Sequence, residues 1–188
     1  MRTSQSPGAN GISRRRPTCV AVDSKATSDY GRHARMKNRL LTALVSRLKE
    51  TGQLSLADIE TLLVSNGIGP VDADVTPHLQ FSETSYRRNL VHGTNDHQLL
   101  VLCWRPGQGS LIHDHGASNC GIRVLAGVAT ETLYRGTLDS PIVDRTRPIS
   151  AGAVSVNRGD LIHRVENRGE VNLVTLHLYS PPLIRLKS

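Results

Sequence analysis

Two stretches in the first third of the chain place apolar residues at helical spacing. Over residues 36–49 the apolar side chains recur every three or four positions, as on one face of a helix. A second helix is predicted over residues 56–64, with Ser55 as its N-cap and Asp58 at the capping-box position. Neither stretch carries residues that suggest chemistry, so we expect both helices to pack against the rest of the domain.

After Pro77 the pattern changes to short runs of β-branched and aliphatic residues separated by glycine and proline. Several short strands with turn signals between them are typical of a sandwich or barrel. The sequence shows neither strand–helix alternation nor a glycine-rich phosphate loop, which argues against a nucleotide-binding α/β fold. The predicted strands cover residues 86–91, 99–104, 122–126, 128–134 and 171–179.

Basic residues are concentrated at the N-terminus and account for the formal net charge of +7. Residues 1–40 carry nine Lys or Arg and two Asp, whereas the remainder carries 14 charges of each sign. Because residues 1–34 are also rich in Ser, Gly and Pro, we predict a disordered basic tail there. Residues 35–188 then form one domain, with helices at about 36–66 and a barrel at about 75–183. The neutral charge of this domain argues against nucleic acid as a partner.

The sequence also indicates the compartment. The apolar run at residues 20–22 is far too short for a signal-peptide core or a membrane span. Cys19, Cys103 and Cys120 are odd in number and show no paired spacing, which argues against a disulfide scaffold. We therefore predict a cytoplasmic monomer without a membrane partner.

The strongest chemical signal is a pair of histidines that follows a glycine-rich turn, Gly107-Gln-Gly-Ser-Leu-Ile-His113-Asp-His115. On a strand, side chains two positions apart project from the same face. A strand over this segment therefore points both imidazoles to one place while Asp114 points away. Two imidazoles held in this way form half of a metal site.

Two histidines further along the chain are candidates for the third metal ligand. His163 follows Gly159-Asp-Leu-Ile, and His177 lies in the last predicted strand. In that strand Thr175, His177 and Tyr179 share a face opposite a purely aliphatic one, which is typical of a polar pocket wall. The alternative for His177 is a core histidine satisfied by hydrogen bonds, and spacing alone does not decide between the two candidates.

The order of these motifs resembles the cupin superfamily. Gly107–(five residues)–His113–x–His115–(four residues)–Cys120–(six residues)–Gly127 is similar to the first cupin motif, with Cys120 where most cupins carry a ligating Glu. The stretch from Gly159 to Asn167 is similar to the second motif, although it has one extra residue and Asn157 in the usual Pro position.

Within the cupins, the chain resembles the cysteine dioxygenases over roughly residues 85–183. The shared features are Cys-Trp before the histidine pair, Tyr86-Arg-Arg88-Asn-Leu-Val, His-Arg-Val-Glu-Asn and Leu-His-Leu-Tyr-Ser-Pro-Pro. This resemblance implies a mainly β fold, a single cupin β-barrel with N-terminal helices. It also implies an enzyme that converts L-cysteine and O₂ to cysteine sulfinate with Fe(II) as cofactor.

The resemblance assigns roles to eight residues. His113, His115 and His163 become the iron ligands, Arg88 the clamp for the substrate carboxylate, and Tyr86 its neighbour in the substrate site. Tyr179, His177 and Cys120 become the catalytic group beside the metal. In animal-like members the matching Cys and Tyr are joined by a thioether bond, so Cys120 is expected either to form that bond or to remain a buried thiol.

Two other functions are compatible with these residues. A dioxygenase for another small thiol such as 3-mercaptopropionate would keep the iron site. In such relatives the position of Arg88 is typically Gln, so Arg88 favours cysteine. A zinc-bound, non-oxidative cupin is the other alternative, which metal content and indifference to O₂ would reveal.

Overall fold

Two helices form where the apolar spacing predicts them, α1 (Leu40–Leu48) and α2 (Leu56–Ser65). The computed structural model describes residues 39–70 and 72–183, so the beginning of the predicted first helix and the predicted tail lie outside the described residues. The capping box is confirmed: the Ser55 hydroxyl accepts from the Asp58 N–H at 3.2 Å, and the Asp58 carboxylate accepts from the Ser55 N–H at 3.0 Å. Among the helices in the described ranges, none is long and apolar enough to cross a membrane.

After a short 3-10 helix (Thr76–His78), the chain forms eight strands in two sheets. The strands are β1 (Arg87–Gly93), β2 (Gln98–Trp104), β3 (Asn119–Ala126), β4 (Val128–Thr137), β5 (Ser140–Ser150), β6 (Val154–Asn157), β7 (Ile162–Glu166) and β8 (Leu173–Ser180). One sheet has the order β1-β2-β8-β3-β6 and the other β5-β4-β7, with antiparallel pairing throughout. This confirms the predicted mainly β fold, a small cupin barrel preceded by helices.

The strands β2 and β8 lie at the centre of the larger sheet and are buried on both faces. In β8 the residues Val174, Leu176 and Leu178 pack in the cluster that includes α1 and α2. The alternate residues face the barrel interior, where Leu173 and Tyr179 join the second apolar cluster. Two-sided burial explains why β2 is a nearly continuous apolar run in the sequence. In β8 an aliphatic face alternates with a face that carries Thr175, His177 and Tyr179.

Helix α2 packs directly on β3 at a position that requires glycine. A Cβ atom at Gly121 would collide with the side chains of Ile59 and Leu63, so only glycine lets the helix approach this closely. Two residues further on, the buried guanidinium of Arg123 donates to the carbonyls of Leu63 at 2.9 Å and Ile68 at 3.3 Å. The charge therefore satisfies carbonyls at the C-terminal end of α2, where a cation is favourable.

The sequence did not predict β5, β6 and β7. Nearly all of β5 is exposed, and it lies at the edge of the smaller sheet, so it has no alternation of apolar and polar residues. Its backbone pairing with β4 defines it instead. The strands β6 and β7 have only four and five residues, too few to show a period.

Candidate metal centre

The segment that carries His113 and His115 is held by backbone hydrogen bonds to the chain around β7. His113 and His163 form an isolated antiparallel bridge, in which each N–H donates to the other's carbonyl at 3.0 and 2.9 Å. The His115 N–H donates to the Gly159 carbonyl at 2.7 Å. The prediction of a regular strand here is wrong, since the segment between β2 and β3 is irregular apart from single bridges. These backbone hydrogen bonds, and not a regular strand, position the two imidazole rings.

Three imidazole rings converge at this point. The Nε2 atom of His115 lies 3.2 Å from Nε2 of His113 and 3.3 Å from Nε2 of His163. The nearest ring nitrogens of the three residues all lie within 4.8 Å of one another, close enough to share one ion. By contrast, His177 lies on β8 with both ring nitrogens hydrogen-bonded to protein groups. The geometry thus brings His163, and not His177, to the histidine pair.

Two of these histidines are oriented by hydrogen bonds at Nδ1, the ring nitrogen that points away from the centre. His113 Nδ1 lies 2.8 Å from the Leu111 carbonyl, and His163 Nδ1 lies 3.0 Å from Oε1 of Glu131. Because these oxygens only accept, each Nδ1 carries the proton and each Nε2 presents its lone pair to the centre. His115 Nδ1 is buried and has no hydrogen-bond partner among the described residues.

Burial keeps His113 and His115 neutral. Burial, together with repulsion from the neighbouring histidines, lowers the pKa of His113 to about 4 and that of His115 to about 3. Metal ligation requires neutral imidazole. Both rings therefore have the protonation state that a divalent cation needs at neutral pH.

A hydrogen-bonded row of side chains forms the wall next to the three rings. Trp104 Nε1 lies 2.9 Å from Thr175 Oγ1, which lies 2.9 Å from His177 Nε2. His177 Nδ1 then lies 3.0 Å from the Tyr179 hydroxyl. Thr175, His177 and Tyr179 share one face of β8, as the sequence predicts, and Trp104 enters from the adjacent strand β2.

The direction of these hydrogen bonds follows from the indole of Trp104, which can only donate. If Thr175 accepts from the indole and donates to His177 Nε2, then His177 Nδ1–H donates to the Tyr179 oxygen. This arrangement pairs every buried donor in the row and leaves the Tyr179 proton available to the pocket. It also agrees with the pKa values, since burial lowers the pKa of His177 and raises that of Tyr179.

The predicted substrate-binding residues lie at the mouth of the same pocket, a cavity of about 550 Å³. Tyr86 stacks on Trp104 with ring centres 4.1 Å apart, and the Arg88 guanidinium carbon lies 5.8 Å from the centre of the Tyr179 ring. Among the described residues, Arg88 takes part in no salt bridge. The pocket therefore offers a cation without an acidic partner among the described residues, next to the three imidazoles.

Cys120 lies behind Tyr179 and does not line the cavity. The two residues are direct cross-strand partners in the β3–β8 pair, so their side chains are neighbours on one face of the sheet. Burial raises the pKa of the Cys120 thiol strongly, so the thiol is protonated at neutral pH.

Sequence reasoning missed Glu131, which is fully buried in the middle of β4. Burial alone would raise the pKa of this carboxyl, but hydrogen bonds from His163, Arg147 and Asn157 outweigh burial and lower the pKa to about 2. The only local signal for Glu131 was a charged residue inside a run that is predicted to be a strand. Its partners lie 16 to 32 residues away, so no short motif contains them.

Comparison with known proteins decides the family. The family model described as cysteine dioxygenase type I matches residues 32–188. The chain belongs to this family. The family's cysteine dioxygenase type 1 from Danio rerio is 33% identical over 158 residues, covering 78% of this chain and 77% of that relative. The cysteine dioxygenase type 1 from Homo sapiens is 30% identical over 156 residues, with the same shares of both chains.

The family assignment confirms the resemblance seen in the motifs, and a solved structure supports the barrel fold. Protein TT1209 from Thermus thermophilus superposes with a TM-score of 0.51 at 14% identity, covering 57% of this chain and 94% of that chain. At this identity the similarity concerns the fold alone. The roles of individual site residues in this member of the family are taken up as proposals below.

Proposed function

We propose that this family member is an Fe(II)-dependent thiol dioxygenase that converts L-cysteine and O₂ to cysteine sulfinate. The observation that carries this proposal is the combination in one pocket of three converging imidazoles and Arg88, which forms no salt bridge with the described residues. The names of the curated relatives agree with the reaction. A site for a metal and a site for a carboxylate thus lie side by side.

The donor set fits a divalent iron ion. His113, His115 and His163 would hold it through their Nε2 atoms. Because these ligands are neutral, the full charge of the ion remains, which favours an anionic substrate such as a thiolate. When bound, iron supplies the redox chemistry by which O₂ reacts with sulfur, and zinc cannot supply this chemistry.

The protein groups around the site bind and orient the substrate. Arg88 presents a planar fork of donors that binds a carboxylate through two charge-assisted hydrogen bonds. The Tyr179 hydroxyl, held by His177, donates its proton toward the space between Arg88 and the three histidines. Tyr86 and Trp104 form an aromatic wall that limits the size of the substrate.

The test is O₂ uptake by full-length protein loaded anaerobically with Fe(II). L-cysteine, 3-mercaptopropionate and cysteamine are compared, and the product is analysed. We expect uptake with L-cysteine to be fastest and to yield the sulfinate. Absence of uptake with every thiol, in protein that contains iron, would overturn the proposal and favour a non-oxidative cupin.

Arg88→Gln tests the proposed carboxylate clamp. The change should reduce kcat/KM for L-cysteine by about a hundredfold and affect cysteamine, which has no carboxylate, much less, because a bidentate charged partner of the carboxylate is lost. Arg87→Gln is the matched control, since Arg87 is the β-sheet partner of Cys103 on the opposite face of β1. Equal losses on L-cysteine and cysteamine, or equal effects of both variants, would contradict the role of Arg88 as the carboxylate clamp.

A further inference from the structure

Glu131 is a completely buried carboxylate to which the proposed reaction gives no role. Burying a charge is costly unless the charge is paired and fully hydrogen-bonded. Both oxygens of Glu131 meet this condition. Oε1 accepts from His163 Nδ1 at 3.0 Å and Asn157 Nδ2 at 2.8 Å, and Oε2 accepts from Arg147 at 2.7 Å and Ser155 Oγ at 3.1 Å. Four donors on two oxygens leave no room for a carboxyl proton.

These donors come from strands of both sheets. Arg147 is the direct partner of Glu131 in the β4–β5 pair, and Ser155 and Asn157 lie on β6. The Arg147 guanidinium also donates to Ser155 Oγ at 2.8 Å, so the donors to Oε2 are themselves connected. The carboxylate is therefore fixed in orientation and points one oxygen at the back of His163.

The three candidate ligands differ in what lies behind them. His163 is backed by an anionic carboxylate, His113 by the neutral carbonyl of Leu111, and His115 by no hydrogen-bond acceptor among the described residues. A carboxylate behind a ligating histidine fixes its tautomer and raises its basicity more than a neutral acceptor does. The three candidate ligands therefore differ in basicity, and His163 is the strongest electron donor to a metal ion.

We propose that Glu131 is a positioning residue that acts through His163 and makes it the anchoring ligand of the metal centre. This inference rests on the metal site of the proposed function. Since the three ligands are neutral, Glu131 supplies a negative charge one hydrogen bond away from the ion. Both the hydrogen bond and the charge contribute to metal affinity.

The test is the affinity of full-length protein for Co(II), measured by competition with a chelator and followed through the visible absorption of bound Co(II). Glu131→Gln keeps an oxygen that accepts from His163 but removes the charge, and we expect about tenfold weaker binding. Glu131→Met removes both, and we expect about hundredfold weaker binding. The Co(II) absorption bands should shift in the Gln variant, which loss of folded protein alone would not cause.

Glu166→Gln is the matched control, because this glutamate on the adjacent strand β7 pairs with Arg164 and Arg168 and contacts none of the three histidines through its carboxylate. Its affinity should equal that of the wild type, and thermal unfolding of each metal-free variant reports the folded fraction. If the wild type binds Co(II) and the Glu131 variants bind it equally well, the role of Glu131 is overturned while the metal site stands. If the wild type binds no metal, the proposed function itself fails.

Discussion

Tyr179 lies between His177 and Cys120, and these two neighbours determine the chemistry open to its hydroxyl and its ring. His177 holds the hydroxyl at 3.0 Å, while the Cys120 thiol approaches from the opposing strand β3. Both Tyr179 and Cys120 are buried and protonated at neutral pH. Joining sulfur to the tyrosine ring removes one hydrogen from each residue, and O₂ at the metal centre is the oxidant that would accept them.

We predict that this bond forms during turnover. The intact mass of iron-loaded protein supplied with L-cysteine and O₂ should fall by the mass of two hydrogen atoms. Cys120→Ala should abolish this change, and Cys103→Ala, at the other buried cysteine, should retain it. An unchanged wild-type mass after many turnovers would mean that Cys120 remains a free thiol.

For individual residues, prediction from the sequence succeeded where the residues that meet in the site are also close together in the chain. The pair His113 and His115 was recognisable because the two lie next to each other in the chain. The choice between His163 and His177 needed the resemblance, since only the fold brings His163 to the pair. Glu131 could not be predicted, because its importance depends on four partners from three strands.

At the scale of elements, the loop that carries His115 lies against the turn before β7 without space for a side chain. A Cβ atom at Gly159 would collide with the carbonyl oxygen of Gly116 and lie 2.9 Å from the Ser118 nitrogen. The same contact contains the hydrogen bond from the His115 N–H to the Gly159 carbonyl. The position of His115 thus depends on a backbone-to-backbone approach.

Gly159→Ala should displace this loop and misplace His115. We expect thiol-dependent O₂ uptake to fall about a hundredfold, since a displacement of about 1 Å at a reacting centre has that effect. Gly69→Ala is the control, because its Cβ would meet no atom within 4 Å. Undiminished uptake and iron content in Gly159→Ala would show that the loop adapts without cost.

The sequence predicted those elements whose burial produces a recognisable pattern of apolar residues or whose ends carry a local capping motif. Strand β2 is apolar on both faces, β8 has one purely aliphatic face, and α2 begins at a capping box that local sequence defines. Strand β5 depends instead on pairing with β4, and its exposed Arg, Thr and Pro residues carry no pattern. Edge strands of this kind are specified by their neighbours more than by their own composition.

For the whole molecule, a buried histidine directly before β2 links stability to pH. His97 is fully buried, and neither ring nitrogen has a hydrogen-bond partner in the described part of the chain. Burial lowers its pKa, and the nearby His92 lowers it further, whereas Asp96 and the Gly52 backbone act in the opposite direction. The folded protein therefore disfavours the charged form of this ring.

We predict that the free energy of unfolding decreases as pH falls below about 6.5, the ordinary histidine value. In that range the unfolded chain binds a proton at His97 that the folded protein does not bind. Urea unfolding between pH 7.5 and 5 should show this loss, and His97→Leu should reduce it. An unaltered slope in His97→Leu would contradict the prediction.

The backbone bridge between His113 and His163 has a consequence for how the protein acquires its ion. Main-chain hydrogen bonds hold these two proposed ligands side by side, so the proposed metal centre would be preformed before an ion binds. Ions can then exchange without refolding of the chain. Because imidazole sites generally bind Cu²⁺ and Zn²⁺ more tightly than Fe²⁺, the fraction of active molecules in a cell depends on which ion the cell supplies.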